Sequence, residues 1–175
     1  RDRPGLLRRC LAALEAGPEA IVVDDGSADR ESVAAVAAAA GARLVRLEGR
    51  GAAAARNAGV AAARGEVVCF TDDDCVPAPG WSRALAAPIL AGATRISTGR
   101  TGAAAAASAA DRAWLAIAAA LEDAGADPRS PSPGFAISCN LAARAELLAE
   151  LHFDESFPGA AGEDRDWSAR AARRE

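Results

Sequence analysis

Apolar residues recur along the first part of the chain in two alternating rhythms. Leu6, Leu7, Cys10, Leu11 and Leu14 fall at helical spacing, with Pro4 where a helix can start. Gly17-Pro18 breaks that pattern. Ala20-Ile21-Val22-Val23 then forms a short apolar run of the kind that buried strands show. Val33 and Val36 mark a second helix, which Ser27 or Asp29 can cap and Gly41 ends. Arg43 to Leu47 reads as a second strand, the alanine-rich stretch from Ala52 to Ala63 as a third helix, and Glu66 to Phe70 as a third strand. Helix and strand thus alternate, joined by connections of a few residues. That alternation predicts an α/β domain with a mostly parallel central sheet, helices on both faces and right-handed crossovers.

The second half is less regular. A helix is expected over Trp81 to Leu90, a strand over Arg95 to Gly99, and a long alanine-rich helix over Ala103 to Ala124, broken near Asp111. Three prolines and two serines make Asp127 to Pro133 a loop. Phe135 to Cys139 reads as a strand, Ala143 to Leu151 as a helix, and Phe153 to Gly159 as a loop before a last helix opened by Gly162-Glu163-Asp164. No internal repeat and no linker interrupts the chain, so residues 1–175 are expected to form one domain.

Composition narrows the function classes. About half of the 175 residues are apolar, but many of those are alanine, so the core must be closely packed. There is no lysine, and the net charge is −4, which argues against a nucleic-acid partner. No apolar run approaches the roughly 20 residues of a membrane span, since Asp111 and Arg112 interrupt the nearest one. Cys10, Cys69, Cys75 and Cys139 form no C-x-x-C pair, so a zinc site or disulfide framework is not indicated. Cys75 stands out because it adjoins an acidic cluster.

That cluster is Asp72-Asp73-Asp74, at the end of the apolar run Val67 to Phe70 and just before Pro77 and Pro79. A solvated acidic turn is the ordinary reading. Its place beyond a strand end suits a ligand instead, and Asp72-x-Asp74 suits a hard divalent cation carrying a phosphate group. Asp24-Asp25-Gly26-Ser27 stands at another strand end, where a carboxylate could accept from a nucleobase N–H or ribose hydroxyls. Arg56 and Asn57 interrupt an otherwise alanine-rich helix. Glu163-Asp164 could be no more than an acidic helix start favoured by the macrodipole. The P-loop is excluded by the absence of lysine.

Taken in order, these segments resemble the family 2 glycosyltransferases, nucleotide-sugar enzymes of the GT-A fold. The resemblance runs through Val23 to Ser27, then Gly51 with Ala55 to Gly59, then Phe70 to Pro77. It continues through Cys139 to Ala142 and Phe153 to Glu155 to Gly162-Glu163-Asp164. It implies an inverting, hexosyltransferase-type reaction from a UDP- or GDP-linked donor to a carbohydrate, lipid or small-molecule acceptor. Asp74 and Asp72 would bind Mn2+ or Mg2+ through the DXD motif. Asp24, Asp25, Arg56, Asn57, Asp72 and Asp73 would face the nucleotide. Asp164 would be the base, with Glu163 beside it. A cytoplasmic enzyme of cell-wall or polysaccharide synthesis, working at the inner membrane face or away from it, is the implied setting. The chain starts just past the family's first strand and stops soon after Glu163-Asp164, so a domain truncated at both ends is expected. The alternatives are a non-catalytic nucleotide-sugar-binding domain, an inactive fragment, or a haloacid-dehalogenase-like phosphatase matched only by Asp72 to Val76.

Overall fold

The computed structural model describes residues 1–102, 108–110, 112–113, 116–117, 120, 136–157 and 162–174. Helix α1 (Pro4–Ala13) starts at its proline, as the missing proline N–H allows. Strand β1 (Ile21–Asp25) and strand β2 (Arg43–Leu47) run parallel, with Val22 opposite Leu44 and Asp25 opposite Leu47. Helix α2 (Arg30–Ala39) crosses between them, capped by Asp29, which accepts the Ser32 N–H at 3.0 Å. Val22, Val33 and Ala37 form a small core closed by Leu7 and Leu11 of α1.

Helix α3 (Ala52–Ala62) leads to strand β3 (Val67–Phe70), and helix α4 (Trp81–Leu90) leads to strand β4 (Ile96–Thr98). Strand β5 (Leu141–Arg144) lies between β3 and β4 and runs antiparallel to both. Helices α5 (Ala145–Glu150) and α6 (Glu163–Ala172) complete the described elements. The α/β class therefore stands, with parallel strands in the first sheet and reversed direction in the second.

One strand differs from expectation. The stretch ending at Cys139 is not a strand: Ser138–Asn140 forms a 3-10 turn, and the strand begins at Leu141. Ser138 and Asn140 are buried polar residues that need partners. Asn140 finds them in Trp81 Nε1, which donates to it at 2.8 Å, and in the Arg100 carbonyl at 3.1 Å. Leu141, Ala142 and Ala143, all at 0% exposure, then fill the middle of the sheet. Alanine is a strong helix former, so its run here reads as helix from sequence. The expected helix over Ala103 to Ala124 falls largely outside the described residues, and the loop over Asp127 to Pro133 does so entirely.

The larger core gathers Leu141, Leu147, Leu148, Phe153 and Trp167 beneath α3. Phe153 stacks on Trp167 at 5.3 Å between centroids and meets Phe70 edge-on at 5.7 Å. Among the described residues the two sheets share no ladder hydrogen bond. Between β1 and β3 lies a cleft of about 1040 Å³, lined on its two walls by Val22, Val23, Val67 and Val68. Helix α3 spans it, with Gly59 against Val23 and Val60 against the larger core.

Trp167 is fully buried and donates its indole N–H to the Leu151 carbonyl at 2.7 Å. Trp167→Ala is expected to destabilise the fold by about 3–5 kcal/mol, the usual cost of such a truncation. Urea unfolding measures this, and a loss below about 1 kcal/mol would show that the aromatic stack is not central.

Candidate active site

Each acid cluster follows a strand into a turn, and the turns treat them differently. Asp24 points inward and is 5% exposed. One of its oxygens accepts the Ser27 N–H at 3.0 Å and the other the Arg46 guanidinium at 3.1 Å. Asp24 thus serves an internal turn and a buried ion pair. Asp25 accepts the backbone N–H groups of Arg50 at 2.6 Å and Gly51 at 2.7 Å, satisfying donors at the start of α3. Gly26 allows this packing: its φ is +80°, and a Cβ there would lie 2.9 Å from the Gly49 nitrogen.

Asn57 is also committed internally. Its amide nitrogen donates to the Phe153 carbonyl at 2.9 Å and to Glu155 at 3.0 Å, while its oxygen accepts the Phe153 N–H at 3.0 Å. It fastens α3 to the loop before α6, with both amide hydrogens donated inside the fold.

The acids after β3 meet guanidinium groups. Arg3 pairs with Asp73 and, at 2.8 Å, with Asp74. Arg1 stands 3.8 Å from Asp25, so three residues of chain span both clusters and place them at one edge of the molecule. Arg56 donates to Glu163 at 2.5 Å, lies 3.8 Å from Asp72, and covers the Phe153 ring with its carbon 5.7 Å from the centroid. Glu163 is 2% exposed, and its second oxygen is buried with no hydrogen-bond partner. Asp164 is less buried. It accepts the Ser138 N–H and hydroxyl, both at 3.3 Å, and the Arg165 N–H at 2.8 Å.

Partial burial pushes the Asp72 carboxyl above the ordinary carboxylate range. Arg56 opposes that shift, while Asp74, Asp73 and Asp164 reinforce it. Asp72 and Glu163, ninety-one positions apart, are joined through Arg56. Sequence reasoning missed Ser138, which lies in the stretch read as a strand, and Arg3 as a counter-charge. Pairing across 70 residues leaves no local signal.

Among the described residues no three His, Cys, Asp or Glu side chains are arranged to hold a metal ion. Magnesium and manganese sites beside phosphates commonly use only one or two carboxylates, with the phosphate and water completing the shell. Asp72 and Asp74 fit that form, and a cation would offset both the burial and the neighbouring carboxylates that raise the Asp72 carboxyl.

Because ionised Asp72 is costlier in the fold than in the unfolded chain, it lowers stability above its folded-state pKa. That cost shrinks as pH falls below the folded-state pKa and is gone below the lower pKa of the unfolded chain. With chelator present, Asp72→Asn is expected to raise the melting temperature near about pH 8, with the gain shrinking toward about pH 4. Thermal scans at both pH values decide it, and a constant or negative difference would refute the crowding.

The sequence matches the family model for glycosyl transferase family 2 over residues 1–151. No curated protein matches the chain. Glucosyl-3-phosphoglycerate synthase from Mycobacterium tuberculosis, in complex with uridine diphosphate, is structurally similar with a TM-score of 0.67 and 24% identity. The alignment covers 99% of this chain and 62% of the synthase. The same synthase in complex with phosphoglyceric acid gives 0.61 at 25% identity, over 99% and 61% of the two chains. S. aureus TarS 1-349 gives 0.65 at 18% identity, over 97% and 52%. The chain therefore spans about three fifths of the synthase's length. The shared architecture is the GT-A fold, and the family match runs through both strand-end acid clusters and the Arg56 helix. The chain belongs to glycosyl transferase family 2.

Proposed function

We propose that this chain is the donor-binding and catalytic part of a longer glycosyltransferase, which moves a sugar from a nucleoside diphosphate to an acceptor hydroxyl with inversion. The observation that carries the reading is that Arg56 joins Glu163, the residue before Asp164, to Asp72, from segments ninety-one residues apart. In a single displacement the attacking group and the leaving diphosphate lie on opposite sides of the reacting carbon, so the two acids should come from separate segments.

The acceptor oxygen attacks the anomeric carbon, and the bond from that carbon to the diphosphate oxygen breaks. The acceptor proton passes to Asp164, which Ser138 holds in place. Glu163 acts as a positioning residue, since it is buried against Arg56. Arg56 steadies Asp72 and faces the donor. Asp72 and Asp74 would hold Mn2+ or Mg2+, which would neutralise the departing diphosphate. Arg3 must leave Asp74 for that to happen. Uridine diphosphate, bound by the synthase, is the first nucleotide to test, with GDP as the comparison.

The open cleft between β1 and β3 favours a second statement about the domain. We propose that a further apolar strand from the longer protein fills it, so the isolated segment binds donor weakly. The phosphatase alternative falls with the family assignment. Substitutions at the acids separate a non-catalytic nucleotide-sugar-binding role from transfer.

In the full-length enzyme, Asp164→Asn is expected to cut transfer by roughly 10²–10⁴-fold while UDP affinity stays nearly constant. Glu163→Ala removes the closer of the two carboxylate partners of the mostly buried Arg56, leaving only Asp72 at 3.8 Å, and should destabilise the fold by about 3 kcal/mol. Assays beside unfolding curves separate the two. An active Asp164→Asn together with a stable but inactive Glu163→Ala would reverse the roles. Asp74→Ala should weaken UDP binding in calorimetric titrations only when manganese is present. Equal affinity of the unmodified enzyme with and without manganese would remove the metal from the proposal.

A further inference from the structure

Two guanidinium groups meet the acids after β3, and they are held very differently. Arg56 has a side chain 14% exposed, donates to Glu163 at 2.5 Å and covers the Phe153 ring, so its head group is fixed. The Arg3 side chain is 44% exposed and splits its fork, one nitrogen donating to Asp74 at 2.8 Å and the other to Asp73. Exposed pairs of this kind are weak and cost little to break.

The backbone beneath Arg3 is anchored, by contrast. Asp2 turns through a φ of +54°, in the left-handed region. Its N–H donates to the Ser27 hydroxyl at 3.1 Å, and its carboxylate accepts the Ala28 N–H at 2.7 Å. The Arg3 carbonyl accepts the Leu7 N–H at 3.0 Å as α1 begins. Two turns further on, the Cys10 thiol donates to the Asp72 carbonyl at 3.4 Å and ties α1 to the acidic loop. An exposed side chain thus stands on a rooted stem beside three carboxylates.

We propose that Arg3 is a donor-binding residue that exchanges partners. Without donor it holds Asp73 and Asp74, and it passes to the donor's diphosphate when a divalent cation takes Asp74. The exchange rests on the reading of Asp72 to Asp74 as the diphosphate loop. The cation would take carboxylate oxygens that Arg3 now holds, and the diphosphate it carries would be the nearest new anion. A guanidinium fork matches two phosphate oxygens as well as two carboxylate oxygens. Arg56 is unsuited to this exchange, because leaving Glu163 would strand a buried carboxylate. Arg3 therefore opposes the cation when it comes alone and supports it when it comes with nucleotide, which makes the two bind cooperatively.

The test measures manganese and UDP binding separately in the full-length enzyme and its Arg3→Ala variant. Manganese alone, titrated by electron paramagnetic resonance, should bind Arg3→Ala about threefold more tightly, the scale of an exposed ion pair. UDP with saturating manganese, titrated by calorimetry, should bind the variant about tenfold more weakly, the scale of a charge-assisted contact. A merely structural role for Arg3 would move both affinities the same way, so opposite signs identify the exchange. Arg8→Ala, which removes an exposed charge from the same helix, should change neither, and effects equal to those of Arg3→Ala would overturn the proposal. Manganese affinity that is unchanged, lowered or absent in both proteins would overturn the competition with the cation. UDP bound by the unmodified enzyme and equally well by Arg3→Ala would overturn the donor contact and leave the transferase reading intact. If the unmodified enzyme binds no UDP, that reading fails and the donor contact with it, while the manganese titration still decides whether Arg3 competes with a cation.

Discussion

The arrangement turns on one guanidinium. Arg56, on a helix otherwise built almost wholly of small residues, reaches Glu163 of α6 and Asp72 at the end of β3, and lies over Phe153. These partners come from three segments far apart in the chain. Glu163 is almost fully buried, so without Arg56 it would be an uncompensated charge in the core. The small side chains around Arg56 let α3 lie close to the sheets and bring the guanidinium within reach of both acids. The same pair fixes where α6 begins, and hence where Asp164 stands relative to Asp72.

The two strand-end clusters, so similar in sequence, end in different chemistry because their neighbours offer different numbers of amide donors. After β1 the chain turns through Gly26 and Ser27, with Arg50 and Gly51 close by, and the N–H groups of Ser27, Arg50 and Gly51 need acceptors. Asp24 and Asp25 supply them. After β3 the chain runs through Pro77 and Pro79, which carry no N–H. Asp72, Asp73 and Asp74 meet Arg3 and Arg56 instead, and burial, with the neighbouring acids, keeps the Asp72 carboxyl pKa raised. A cluster left in that state is suited to a mobile cation, whereas a cluster saturated with amide donors is suited to holding a turn.

The helices and strands of the first half were legible in sequence because each buries one face or a short run, and the periodicity of 3.6 or 2 records this directly. The alternation, the strand-end position of both acid clusters and the family resemblance rest on that order. The β5 strand was not legible. Leu141, Ala142 and Ala143 carry no strand signature, since alanine is accepted in a strand only where neighbouring elements pack close on both sides, and that closeness is a property of the assembled core.

What each polar residue does was likewise decided in three dimensions. The sequence alone determined that Asp24, Asp25, Arg56, Asn57, Asp72 to Asp74, Glu163 and Asp164 are unusual where they stand. Only the tertiary structure decided which were consumed by their neighbours. Asn57 closes onto Phe153, Asp24 onto Arg46, and Glu163 onto Arg56, in each case across tens of residues. The physical reason is that a hydrogen bond or ion pair depends on separation in space, and chain order constrains that separation only for residues within a turn or two of one another.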